Sequence, residues 1–224
     1  MSTYNEISTL QYMGNKTRII SHICEPIIKN SNIRTVVDLF AGTGSVGYAL
    51  KSHKNVISND IEYYSYIINQ AILNGCSLSL RDESAFWCEV EKQYSNLQSM
   101  LPIVLAAEKA HLNKDVDYKQ YQHFCETTPS VFSPKTNNPC MKELLTLVEQ
   151  VTPGKNPTTT VPCLFLTYYA NAYFGIAQCC QIDAIRSVID TLQDVSTKNV
   201  LLTVLMSIMS ASASTTTHFA QYLK

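Results

Sequence analysis

The spacing of apolar and polar positions divides the chain into two stretches of different character. Over residues 17–29, TRIISHICEPIIK, the apolar side chains recur at helical intervals, which predicts a helix soon after Gly14. Residues 34–40, RTVVDLF, form a short β-branched run and predict a buried strand. AGTG follows at once, and residues 45–51 predict a helix whose first turn sits on those glycines. A second strand is predicted over 55–58, ending at Asn59 and Asp60, and a third helix over 62–73, with Asn74 and Gly75 as its C-terminal signal. Strand, glycine-rich turn, helix, strand, acid, helix is the opening of a doubly wound parallel sheet.

Beyond residue 80 the pattern changes. Residues 85–126 are mostly helical in composition. Residues 127–139 and 152–162, rich in Pro, Thr and Asn, predict loops around a helix at 141–150. Two further helices are expected at 177–192 and 198–209, and no internal repeat is visible.

Composition narrows the classes. With 46% hydrophobic and 16% charged residues over 224 positions, the chain has the makings of a packed core and is unlike a disordered one. Its net charge of −1 leaves no electrostatic footprint for nucleic acid, so any DNA contact must come from a local patch or a partner chain. The N-terminus, MSTYNEISTLQY, is polar and has no export signal pattern. The longest apolar run, 200–211, is interrupted by Thr203, Ser207 and Ser210 and falls short of the about 20 residues that span a bilayer. Eight cysteines without a C-x-x-C pair, and five histidines that do not cluster with them, predict reduced thiols and no metal site. A cytoplasmic protein that contacts no membrane is expected.

Candidate chemistry concentrates in residues 36–47, VVDLFAGTGSVG. A strand must turn sharply into a helix here while its backbone approaches a ligand. Gly42 and Gly44 remove the side chains and free the φ angles that this requires. Gly47 completes a G-x-G-x-x-G spacing, and Asp60 lies where an acid can take both hydroxyls of a ribose. A nucleotide-type cofactor is expected.

Asp38, Phe40, Gly42 and Gly44 form D-x-F-x-G-x-G, which resembles motif I of S-adenosylmethionine-dependent DNA methyltransferases. NDIEYYSYIINQAIL, over 59–73, resembles their motif II, with Asp60 matching the ribose-binding acid. YMGNK, over 12–16, resembles motif X of adenine-N6 enzymes whose cofactor motifs precede the catalytic one. The resemblance implies that Tyr12, Gly14, Lys16, Asp38, Phe40, Ala41, Gly42, Thr43, Gly44, Asp60 and Ile61 hold S-adenosylmethionine. Lys16 would pair with the methionine carboxylate and Tyr12 would pack near the sulfonium. The stretches over 173–190 and 213–224 look like those that lead toward the family's catalytic motif. The implied fold is α/β, a partial Rossmann-like methyltransferase parallel sheet with a mostly helical insertion. Residues 1–79 would be the cofactor-binding portion, 80–162 a variable and target-recognising insertion, and 163–224 a helical segment.

One departure governs the functional expectation. The family acts through Asp/Asn-Pro-Pro-Tyr/Phe, which accepts hydrogen bonds from the adenine amine and stacks on the flipped base. That tetrapeptide is absent here; the nearest string is Asn138-Pro139-Cys140-Met141, read as a loop. No catalytic residue is therefore assigned. The expectation is the S-adenosylmethionine-binding subunit of a split adenine-N6 methyltransferase. A second polypeptide would carry the catalytic motif, double-stranded DNA would be reached through the complex, and the helices at 177–192 and 198–209 would form part of the contact. The alternative is a non-catalytic module, a truncated remnant or regulator that binds S-adenosylmethionine or DNA. A cytosine-C5 enzyme is rejected: Pro139-Cys140 and Pro162-Cys163 match its nucleophile by dipeptide only. His218 and Lys224 read equally as phosphate contacts or a solvated tail, and Arg186 as an ion-pair partner of Asp183 or Asp190.

Overall fold

A computed structural model of the chain describes residues 19–112, 117–128, 137–151 and 163–214. The chain divides into two compact units, Met1–Leu78 with Leu192–Ala211, and Ser79–Thr191 with Ser212–Lys224.

The first unit opens with α1 (Ile20–Lys29), β1 (Thr35–Asp38), α2 (Ser45–Leu50), β2 (Asn55–Ser58) and α3 (Tyr63–Asn74). The strands pair in parallel, from Thr35 against Asn55 to Asp38 against Ser58. Side chains alternate across a strand, so each strand sends one valine to the core. Val36 and Val56 pack on Ile20, Cys24, Val46, Ala49 and Leu50 of α1 and α2. The opposite face stays open: the cross-strand pair Val37 and Ile57 is 52% and 54% exposed. A Cβ on Gly47 would lie 3.1 Å from the Ser58 hydroxyl and 3.4 Å from Val56, so its absence lets α2 lie close on β2. Gly75, at φ +67°, ends α3 as its position predicts, and Lys51 Nζ closes the same end by donating to the Ile72 carbonyl at 2.5 Å.

The second unit is helical: α4 (Leu80–Met100), α5 (Pro102–His111), α6 (Tyr118–Thr127), α7 (Pro139–Val151), α8 (Leu164–Tyr168) and α9 (Ile176–Thr191). Its core is built from Leu97, Leu101, Val104, Met141, Leu144, Leu166, Ile176 and Ile189, all essentially inaccessible. Three carboxylates join the helices. Glu143 of α7 accepts from the Ile103 and Val104 amides at 3.1 and 2.8 Å, at the start of α5. Glu108 of α5 accepts from Ile176 and Ala177 at 2.6 and 2.9 Å, at the start of α9. Asp183 of α9 accepts from Phe165 and Leu166, both at 3.0 Å, at the start of α8. Each satisfies amides that a helix leaves without internal partners. Burial pushes the carboxyls of Glu108 and Asp183 upward, Asp183 to about 7, although the amides pull the other way.

The final helix, α10 (Val195–Ser212), groups with the first unit up to Ala211. It begins five residues before the apolar run seen in the sequence, and at 18 residues it is the one described helix long and apolar enough to cross a membrane by length and composition. Its buried positions include Thr197, Asn199 and Thr203, whereas Val195, Val204 and Ile208 are exposed.

Several expectations need correction. The fold is mixed α/β as expected, but mostly helical, and the described residues carry only a two-stranded parallel sheet. That is less than the doubly wound sheet the opening pattern promised. The first strand ends at Asp38, because Asn59 Nδ2 takes the Leu39 carbonyl at 3.0 Å and the chain turns there. The 85–126 region resolves into three helices, with Pro102 opening the second where its missing amide costs nothing. Asp183 is buried as a cap, so Arg186 pairs with Asp190 alone, at 2.9 Å. The helix expected at 177–192 is α9, which packs within its own unit on α4 and α8, with Cys179, Cys180 and Ala184 fully buried. The predicted loops at 152–162 and most of 127–139 lie outside the described residues, as do His218 and Lys224.

Candidate functional site

The glycine-rich turn leaves β1 through Leu39 and Phe40 and enters α2 at Ser45. Gly42 and Gly44 take φ of +51° and +75°, which L side chains rarely adopt, and the Gly44 amide closes the turn on the Ala41 carbonyl at 2.8 Å. The turn is tied to the end of β2 by two backbone bonds, Ala41 N–H to the Asn59 carbonyl at 3.0 Å and Asn59 N–H to the Asp38 carbonyl at 2.8 Å. These two bonds hold the turn against the end of β2 and fix where Asp60 stands.

Asp60 uses both carboxylate oxygens. Oδ1 accepts from the Glu62 amide at 3.0 Å and Oδ2 from the Gly42 amide at 2.8 Å. These bonds, the Glu62 amide first and the Gly42 amide second, hold its carboxyl below the usual carboxylate range, so the group is anionic at neutral pH. Each oxygen keeps a further lone pair for a hydroxyl donor. Around it the surface is apolar and open: Phe40 is 81% exposed and Ile61 96%. Ala41 and Thr43, by contrast, are buried and shape the turn from within. Among the described residues, apart from its two chain neighbours, no atom lies within 4 Å of a Cβ built on Gly42.

The structure therefore brings together Phe40, Ala41, Gly42, Thr43, Gly44, Asp60 and Ile61, with Asp38 half-buried at the end of β1. Asp38 also faces α1, where burial and then its negative charge raise the Cys24 thiol. Tyr12, Gly14 and Lys16 lie outside the described residues. Sequence reasoning missed two side chains. Ser65 Oγ and Asn69 Nδ2 both donate to the Gly42 carbonyl, at 2.5 and 3.1 Å, and both residues are buried on α3. The available signal was a Ser and an Asn four apart on a helix face otherwise made of Ile68, Ala71 and Ile72.

An exposed apolar shelf, an ionised carboxylate and a turn without side chains suit a purine nucleoside. The profile of the D12 class N6 adenine-specific DNA methyltransferases matches residues 12–139, more than half of the chain. The chain belongs to that family. Modification methylase LlaI of Lactococcus lactis subsp. lactis is 46% identical over 66 residues, 29% of this chain. Type II methyltransferase M.NlaIII of Neisseria lactamica is 38% identical over 78 residues, 32% of this chain, and type II methyltransferase M.FokI of Planomicrobium okeanokoites 35% over 71 residues, 31% of this chain. The matched stretches cover 10%, 23% and 11% of those relatives' own lengths, so the chain carries only a part of what they contain. No solved structure matches the chain. Methyltransferases of this family generally use S-adenosylmethionine.

Among the described residues, no group of three or more His, Cys, Asp or Glu is placed to hold a metal ion. Burial raises the thiols of Cys140 and Cys163, the latter to about 12, which suppresses the thiolate a cysteine nucleophile needs.

Proposed function

We propose that this chain is the S-adenosylmethionine-holding subunit of a DNA adenine-N6 methyltransferase whose Asp/Asn-Pro-Pro-Tyr/Phe tetrapeptide is carried by a second polypeptide. The observation that carries the reading is Asp60, anionic, bonded to the Gly42 amide, and flanked by the exposed Phe40 and Ile61. The cofactor, when bound, supplies the methyl group. Asp60 accepts the ribose hydroxyls, Phe40 and Ile61 flank the purine, and Gly42 admits the ligand close to the backbone. Asp38, Ala41, Thr43 and Gly44 shape the wall, while Tyr12, Gly14 and Lys16 serve the methionine end. The chain contributes placement rather than a covalent intermediate.

Three observations support a partner. The 224 residues hold no catalytic tetrapeptide. The net charge of −1 is poor for a chain that meets DNA phosphates alone. A parallel sheet is normally covered on both faces, yet Val37 and Ile57 leave one face open, and α10 shows Val204 and Ile208. A second reading, a regulator that binds the cofactor without chemistry in any complex, rests on the same missing tetrapeptide.

Titration calorimetry of wild type and Asp60→Ala tests the cofactor site. The expected loss is about 1–3 kcal/mol of binding; equal affinities refute the assignment. Purification of the chain with its genomic neighbours, followed by a methyl-transfer assay, tests the partner. Activity on adenine in DNA should depend on a second protein that bears the tetrapeptide, and a complex that binds cofactor yet never methylates would favour the regulator.

A further inference from the structure

The amide and the carbonyl of Gly42 itself are both held by side chains. Its N–H is taken by Asp60 at 2.8 Å, and its carbonyl receives Ser65 Oγ at 2.5 Å and Asn69 Nδ2 at 3.1 Å. Ser65 is fully buried and Asn69 5% exposed, and both rise from α3, the helix that follows Asp60. The Asn69 amide nitrogen also donates to the Ser65 carbonyl at 2.9 Å, and its Oδ1 is buried without a partner. An orphaned buried acceptor destabilises a fold by about 1–3 kcal/mol. An apolar side chain of similar size would avoid that cost, so the value of this amide lies in its donor end.

We infer that Ser65 and Asn69 are positioning residues that set the glycine turn in its ligand-ready shape before cofactor arrives. The inference rests on the proposed S-adenosylmethionine site. Gly42, at φ +51° and without a side chain to limit its backbone, has no intrinsic reason to keep one conformation. Ser65 and Asn69 fix the Gly42 carbonyl from α3, and Asp60, just before that helix, fixes its amide, so carboxylate and turn are set relative to one another. Without the two donors the turn would have to be ordered at the expense of binding free energy.

The test uses the whole chain, the variants Ser65→Ala and Asn69→Asp, and Ser65→Thr as the variant that keeps the hydroxyl. Amide hydrogen exchange is measured without ligand, S-adenosylmethionine affinity by calorimetry, and global stability in urea. Ser65→Ala should speed exchange at Gly42 and Gly44 and weaken binding, each about tenfold, while α2 and α3 amides keep their protection. Ser65→Thr should restore both, and Asn69→Asp, which removes the donor at constant size, should repeat the loss. Unchanged affinity in Ser65→Ala and Asn69→Asp, alongside a weakened Asp60→Ala, overturns the inference while leaving the proposed site intact. Faster exchange with unchanged affinity also overturns it, because the residues would then be structural only. A wild type that binds no S-adenosylmethionine sinks the proposed site and the positioning role together.

Discussion

Replacing Gly44 by alanine separates two costs that the turn imposes. A Cβ there would stand 2.2 Å from Ile72 Cδ1 and 2.8 Å from Asn69 Oδ1, on a backbone at φ +75°. The left-handed conformation costs an L residue roughly 1–2 kcal/mol. Forcing a methyl into a filled space adds about 1–3 kcal/mol. Gly44→Ala should therefore lose about 2–5 kcal/mol. Gly42→Ala supplies the control: its φ is +51° but no described residue beyond its chain neighbours lies within 4 Å of the new methyl, so it should lose only the conformational part, about 1–2 kcal/mol. Ile72→Val removes the atom that is struck. Alone it should cost about 0.5–1.5 kcal/mol. In the Gly44→Ala background it should cost less or stabilise, with a coupling of about 1 kcal/mol. Urea midpoints with unchanged m-values measure the four variants against wild type. Equal losses at Gly42 and Gly44, or strict additivity with Ile72→Val, would refute the packing part of the argument.

Asp183 gives a pH prediction. Its folded value of about 7 lies above the ordinary 3.8, so the stability it contributes is present at low pH and is lost as pH rises toward 7. Against Asp183→Asn, wild type should lose stability between pH 5 and 7, by up to about 1.4 kcal/mol per pH unit; a constant difference between the two proteins contradicts this. Glu108→Ala leaves the Ile176 and Ala177 amides without their acceptor and should cost about 2–4 kcal/mol, read as a shift in urea midpoint; a loss under 1 kcal/mol would show that water replaces the carboxylate. Highly purified chain alone should form no N6-methyladenine in DNA by mass spectrometry, and product from the chain alone would contradict the partner requirement.

What was legible in the sequence is what local rules dictate. The strand–turn–helix–strand order, Gly75 at the end of α3, and the adjacency of the glycine turn and Asp60 follow from period, φ requirement and the pairing of two short strands. What was not legible depends on contacts far along the chain. The five residues of α8 carry little helical period of their own, and its first amides are met by Asp183, 17 and 18 positions away. Asp183 looked like a surface acid beside Arg186 because burial is set by α4 and α8. Ser65 and Asn69 were hidden for a related reason: on a helix a polar pair reads as solvent-facing unless its target, here the Gly42 carbonyl, is known. The motif X residues rest on the resemblance alone.

The three carboxylates that cap foreign helices bear on how this region can change. In the second unit two amides at the start of each of α5, α9 and α8 are satisfied by side chains of α7, α5 and α9. Lengthening a connection costs only slowly growing closure entropy, about 0.6 kcal/mol for each doubling. Residues inserted after α5, α6 or α7 would leave all three helix starts intact. A helical unit fastened in this way can take on loops of new length and composition without refolding its frame.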